Sequence, residues 1–173
     1  MKVAEELKKK NLAEYLLYMW QMEDVIRAYG CSLPRLRREY VERFDYTDEE
    51  KEEEADWLGN LIAQMNREDC REQGHLKQCQ EVLKNLEQKH NALLETDEQY
   101  RAQYYRVLPF IVELRRRGAS KEVSELETCF DALYGIMMLR LQQKEISPET
   151  QHAIDEISAL VALLSKQNTS EKF

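Results

Sequence analysis

The sequence predicts an all-α fold, a single antiparallel bundle of about six or seven helices. Apolar residues recur at every third or fourth position along most of the chain, which is typical of amphipathic helices. Among 173 residues there are only 5 Gly and 3 Pro, so residues that end helices are scarce. Neither an alternating strand pattern of convincing length nor an internal repeat interrupts this periodicity. The connections are short, which favours one domain over residues 1-173.

In the N-terminal half, capping residues mark where helices begin. Asn11 has the capping-box spacing to Glu14 and opens a helix that ends at Gly30, and the charged segment from Lys2 is compatible with a helical lead-in. Ser32 is expected to cap a short helix. A further capping box at Thr47 opens a helix whose first turn is rich in acids.

In the C-terminal half, Gly74 separates two long helices, and the apolar period then continues past Pro109. An interior proline removes a helix hydrogen bond, so we predict that this helix is kinked or broken near Pro109. Ser124 is expected to begin the next helix, and Ser147 the last one, with Pro148 in its first turn. The polar tail after about residue 166 is expected to fray.

Charge and segment composition restrict the classes of partner. The net charge of -8 makes nucleic acid an improbable main partner, because phosphate binding needs a basic surface. The first eleven residues lack the apolar core of a signal peptide, and no apolar stretch is long enough to span a bilayer. We therefore expect a cytoplasmic protein with no membrane contact.

The four cysteines, Cys31, Cys70, Cys79 and Cys129, form no CxxC pair. Zinc-ribbon and thioredoxin-like sites both depend on such pairs, so the sequence favours buried, reduced thiols. No motif for a cofactor is found, and we expect none to be bound.

Several strings resemble an uncharacterised helical family of anaerobic gut bacteria, catalogued as domain of unknown function four-nine-two-four. These strings lie at residues 11–24, 74–76, 108–115, 125–135 and 144–150 and together sample nearly the whole chain. The resemblance implies a helical fold and a bacterial cytoplasmic setting. It implies no substrate, cofactor or catalytic residue.

Each of the three histidines follows a glutamate by three residues, which is the spacing that di-iron carboxylate bundles use. Only Glu87 and His90 fall in the middle of a predicted helix, and one pair does not complete a di-metal site. We therefore predict no metal site and keep Glu87 and His90 as weak candidates. Because His90 interrupts an apolar stripe, a hydrogen-bonded core histidine is the favoured interpretation.

Charged and hydroxyl side chains also interrupt helices that otherwise look buried, and buried charges need partners. Interhelical ion pairs that fix the packing register are the favoured interpretation. The alternative is a pocket between the first, fifth and sixth predicted helices, holding a small polar or anionic ligand, with His75 assisting. The candidate ligand-binding residues are Glu23, Asp24, Arg27, Glu113, Arg115, Asp131 and Tyr134.

Gly135 lies inside a helical pattern, where glycine is costly, and this predicts a close helix approach at a bundle crossing or a self-association face. No nucleophile motif, phosphate loop or complete metal-ligand set accompanies it. The preferred hypothesis is a non-enzymatic bundle that binds a protein partner or itself. A small-ligand binder or enzyme and a metal-carboxylate site are the alternatives.

Overall fold

The protein is described by a computed structural model over residues 1–166, and the predicted fraying of the tail lies outside the described residues. Within that range the chain forms eight α-helices, one 3-10 helix and no strand, which confirms the all-α prediction. The helices are α1 (Lys2–Lys10), α2 (Leu12–Ala28), α3 (Leu33–Glu39), α4 (Asp48–Arg67), α5 (Lys77–Thr96), α6 (Glu98–Arg116), α7 (Glu125–Leu141) and α8 (Pro148–Lys166), with the 3-10 helix at Val41–Arg43.

The charged segment that starts at Lys2 forms the separate helix α1, so the chain has more helices than the expected six or seven. Asn11 adopts an extended backbone with φ -155° and so interrupts the helical path. Its side-chain oxygen accepts hydrogen bonds from the Ala13 and Glu14 amides, both at 3.1 Å. An N-cap of this kind satisfies amides at the start of α2 that have no partner within the helix.

Helix α6 passes through Pro109 without a break. Pro109 lies on the exposed side of the helix, where water can solvate the carbonyl that loses its amide partner. The alternative prediction, a kink at this position, stays a prediction.

The chain divides into two compact units, an N-terminal unit of Met1–Val82 and a C-terminal unit of Leu83–Phe173, with the boundary inside α5. The prediction that residues 1-173 form one domain stays a prediction. The core of the N-terminal unit is built on α2 and α4, whose largest fully buried side chains are Leu16, Met19, Trp20, Met22, Ile26, Leu58 and Met65.

In the C-terminal unit, α6 and α8 run antiparallel. The Gln103 side chain donates to the Glu156 carboxylate at 2.7 Å, whereas Phe110, further along α6, packs edge-on against His152, which precedes Glu156 in α8. Val107 and Ile111 of α6, Phe130 of α7, and Ile157, Leu160 and Leu164 of α8 form the core. None of the helices described over residues 1–166 is both long enough and apolar enough to cross a membrane.

Candidate functional site

In the N-terminal unit, the buried carboxylate of Glu23 holds the start of α5. Glu23 is 1% exposed and accepts the Leu76 amide hydrogen bond at 2.9 Å, one residue before α5 begins. Glu68 accepts the next amide, that of Lys77, at 2.7 Å. Two carboxylates, one from α2 and one from the residue that follows α4, therefore act as the N-cap of α5, where negative charge also stabilises the helix dipole.

Arg27 stabilises the loop that joins α4 to α5 through hydrogen bonds to its backbone. Its guanidinium donates to the carbonyl oxygens of Cys70 at 3.0 Å and Gly74 at 2.5 Å, and to the Asp24 carboxylate at 2.9 Å. The three predicted ligand residues of this unit, Glu23, Asp24 and Arg27, thus make contacts that order the loop. Their role in ligand binding stays a prediction.

His75 lies beside Glu23, with its Nδ1 atom 2.7 Å from the carboxylate, and its ring stacks on Trp20 at a centroid distance of 4.4 Å. A carboxylate-oriented histidine of this kind resembles half of a catalytic dyad. The Cys79 thiol, which neighbours Glu23, is a candidate nucleophile, but it is only 1% exposed. Burial raises the pKa of Cys79, and the neighbouring Glu23 raises it further, so this thiol stays protonated and unreactive.

Two of the four predicted residues of the C-terminal unit, Glu113 and Arg115, contact different partners. Hydrogen bonds from Arg116 and Arg117 lower the pKa of Glu113 to about 2. Arg115 instead donates to the Val123 carbonyl at 2.8 Å. Asp131 is exposed and Tyr134 half-buried. The ligand-binding role of Glu113, Arg115, Asp131 and Tyr134 stays a prediction.

The two weak metal candidates make hydrogen bonds to hydroxyl groups. Glu87 accepts from the Ser124 hydroxyl, and His90 Nδ1 lies 2.5 Å from the Tyr100 hydroxyl. His90 is 7% exposed, and burial lowers its pKa, which favours the neutral ring. Over residues 1–166 no three His, Cys, Asp or Glu side chains are grouped so that they could hold a metal ion.

The C-terminal unit contains an apolar cleft of about 590 Å³ between α6, α7 and α8. We call it the apolar cleft. Aliphatic and aromatic side chains make up most of its wall, and polar groups lie at its rim. It is lined by Phe110, Glu113, Leu114, Arg117, Ala132, Gly135, Ile136, Leu139, Glu149, Thr150, Ala153, Ile154 and Ile157.

Small residues create the apolar cleft. A Cβ atom placed on Gly135 would meet no other atom of the described residues within 4 Å, so the predicted helix crossing at this glycine is wrong within the chain. The alternative, a self-association face, stays a prediction. Ala132 precedes Gly135 by one helical turn, and Ala153 of α8 lines the same space. Gly135 is therefore the residue from which the cleft could have been predicted. The helical spacing around a glycine does not, however, distinguish a tight helix crossing from an open space.

The rim of the apolar cleft carries charge of both signs. Arg117 donates from its Nε atom to Glu113 at 2.7 Å, which neutralises that part of the rim. Glu149, in the first turn of α8, is exposed and forms no ion pair with any residue in the described part of the chain. The rim thus offers one open carboxylate beside an apolar floor.

Comparison with known proteins identifies the family and nothing more. The sequence model of DUF4924, a domain of unknown function, matches residues 1–173, and the chain therefore belongs to that family. No curated protein and no solved structure matches the chain.

Proposed function

We propose that this member of the DUF4924 family is a non-enzymatic cytoplasmic docking protein, and that its apolar cleft receives an amphipathic helix from a partner protein. The observation that carries the proposal is the cleft itself, about 590 Å³ of mostly apolar space between three helices. Grooves between helices commonly bind the apolar face of another helix.

The chemistry of the cleft indicates what the partner helix carries. Its floor, which includes Leu114, Ile136 and Ile154, suits apolar anchors spaced at i, i+3 or i+4, and i+7. The open carboxylate of Glu149 at the rim suits a Lys or Arg beside those anchors. The net charge of -8 attracts a basic partner over longer distances as well.

An enzymatic function has weaker support in the described residues. The most enzyme-like arrangement, Glu23 with His75, adjoins a buried, protonated thiol and not an activated nucleophile. The apolar cleft has no histidine or cysteine in its wall. A binding role therefore fits the arrangement better than catalysis does.

A displayed library of helical peptides tests the proposal. Selection on the wild-type protein is expected to enrich amphipathic sequences with a basic residue beside the apolar stripe. Gly135→Trp fills the cleft and is expected to weaken the binding of a selected peptide at least about tenfold, because the peptide then loses one well-filled apolar pocket. Gly135→Ala is the matched control, because it adds one methyl group to open space and leaves the cleft usable.

Three outcomes count against the proposal. The first is that no helical sequence is enriched, and the second is that the enriched peptides bind both variants equally. The third is a dimer, seen by light scattering, that Gly135→Trp abolishes. That result would make a second copy of this chain the occupant.

A further inference from the structure

The imidazole ring of His75, in the loop that leads into α5, is fixed by two contacts. Its Nδ1 atom lies 2.7 Å from the carboxylate of Glu23, a side chain that is 1% exposed. One face of the ring stacks on Trp20, with the ring centroids 4.4 Å apart and the planes at 15°. The hydrogen bond fixes which edge of the ring points inward, and the stacking fixes its plane. The ring is therefore oriented before any reaction partner arrives.

Glu23 determines which nitrogen of His75 carries the proton. The other oxygen of its carboxylate accepts the Leu76 amide hydrogen bond at 2.9 Å. An ionised carboxylate accepts hydrogen bonds and cannot donate one, and a carboxylic acid ionises at a lower pH than an imidazolium does. The proton between the two groups therefore resides on Nδ1 of His75. The lone pair of Nε2 is left available to an electrophile.

The Nε2 atom of His75 is accessible to solvent. The side chain is 32% exposed, although Glu23 covers its Nδ1 edge and Trp20 covers one ring face. Within residues 1–166 the Nε2 atom has no hydrogen-bond partner, yet it is not one of the buried polar atoms that lack a partner there. The nitrogen that carries the lone pair is therefore the one that a molecule in solution can reach.

The other two histidines lack this combination of a carboxylate partner and an accessible nitrogen. His90 is 7% exposed, and its Nδ1 atom lies 2.5 Å from the Tyr100 hydroxyl. His152 is exposed on α8, where its ring packs edge-on against Phe110 and contacts no carboxylate of the described residues. His152 therefore provides an internal reference for a histidine that is exposed but not oriented by an acid.

The charges near His75 in the chain favour an anionic electrophile. Arg71, in the same loop, and Lys77, the first residue of α5, are exposed and form no ion pair with any residue in the described part of the chain. Glu72 is the one acid between them in the sequence. Two open cations beside one acid attract anions. A phosphoryl donor is an anion whose phosphorus accepts an electron pair from imidazole, so it suits Nε2 of His75.

We propose that His75 is a modification site whose Nε2 atom accepts a phosphoryl group from an acyl phosphate. The Nε2 lone pair attacks phosphorus and forms an N–P bond, and the P–O bond to the acyl group breaks, so the acyl carboxylate leaves with the electron pair. The proton stays on Nδ1, and the Glu23 carboxylate balances the positive charge that the ring acquires. This inference does not depend on the proposed docking function, because His75 belongs to the N-terminal unit and the apolar cleft to the C-terminal unit.

Incubation of the full chain with acetyl phosphate tests the inference. Intact mass spectrometry counts the groups added and separates phosphorylation from acetylation, and ³¹P NMR at alkaline pH identifies which ring nitrogen carries phosphorus. We expect one phosphoryl group on Nε2 of His75. Its formation is expected to be at least about tenfold faster than modification of the more exposed His152, which is the size of effect that a carboxylate partner has on histidine ligands. Phosphoramidate, which cannot acetylate, is expected to give the same product.

Three variants separate the contributions of the side chains. His75→Gln is expected to abolish the fast phase, and His152→Gln, the matched control, is expected to leave it unchanged. Glu23→Gln removes the charge that holds the proton on Nδ1 and is expected to slow phosphorylation of His75 at least about tenfold. Long-range ¹H–¹⁵N spectra of the wild type are expected to show the proton of His75 on Nδ1, a readout that a purely structural role of Glu23 does not require.

Three results would overturn the inference. The first is that neither donor phosphorylates His75 in the wild-type protein, or that acetyl transfer is the only reaction. The second is that His75 and His152 are phosphorylated at the same rate. The third is a proton on Nε2 of His75 in the wild-type spectra. All three are measured on the wild type, so the comparison stands even where Glu23→Gln folds poorly.

Discussion

Removing the Glu23 carboxylate should destabilise the N-terminal unit far more than removing an exposed acid from the same helix. Glu23→Ala leaves the Leu76 amide buried without its acceptor, at a cost of about 1.5–3 kcal/mol for a hydrogen bond to a charged group. The lost methylene adds about 0.8 kcal/mol. Because the variant also avoids burying a charge, we expect a net loss of about 2–4 kcal/mol in the free energy of unfolding.

Urea denaturation followed by tryptophan fluorescence measures this loss. Both tryptophans, Trp20 and Trp57, lie in the N-terminal unit, so the signal reports on that unit. Glu23→Gln keeps an oxygen for the Leu76 amide and is expected to lose about 1–2 kcal/mol. Glu14→Ala removes an exposed acid of α2 and is expected to stay within about 0.5 kcal/mol of the wild type.

The capping argument fails if Glu23→Ala and Glu14→Ala have the same midpoint. It also fails if Glu23→Gln is as destabilised as Glu23→Ala, because the loss would then follow from charge alone and not from the missing acceptor. An unchanged denaturant slope is needed for either comparison.

Three further predictions concern other parts of the chain. Gly135→Ala is expected to raise the free energy of unfolding by about 0.5–1 kcal/mol, because the methyl group meets no neighbour and glycine disfavours a helix. Thermal and urea denaturation measure this change, and a destabilised variant would show that the position is not open. Burial lowers the pKa of His90, so below about pH 6.5 the unfolded chain binds a proton that the folded chain does not bind. The free energy of unfolding should therefore fall by at most about 1.4 kcal/mol per pH unit until the lowered pKa is reached, and a His90→Asn variant with the same pH dependence would contradict this. Of the four thiols, half-buried Cys31 should react first with a thiol reagent in the native protein, and the buried Cys70, Cys79 and Cys129 only on unfolding; fast modification of Cys79 would refute its assignment as a protonated core thiol.

Helix beginnings were predictable because capping is a local interaction. Thr47 and Glu50 form the predicted reciprocal capping box, with distances of 3.0 and 3.2 Å. Ser124 and Ser147 likewise accept amide hydrogen bonds from residues three positions further on. Each of these contacts is contained in one turn of helix, so residue types and spacing suffice.

The site residues were less predictable because their contacts are distant in sequence. Glu23 and His75 are 52 positions apart, and no spacing rule joins a residue of α2 to the start of α5. The sequence could say only that a charge in an apolar stripe needs a partner. In the same way, the spacing around Gly135 indicated a special position on α7 but not whether a neighbouring helix fills it.

Isoleucine methyl NMR spectra, recorded with and without a selected amphipathic peptide, test the docking proposal most directly. Ile136, Ile154 and Ile157 line the apolar cleft, whereas Ile26 and Ile62 lie in the N-terminal unit. The proposal predicts saturable shifts of the three cleft methyl signals, with the signals of the N-terminal unit unchanged. The proposal would be contradicted if the added peptide shifts other methyl signals while those of Ile136, Ile154 and Ile157 do not move.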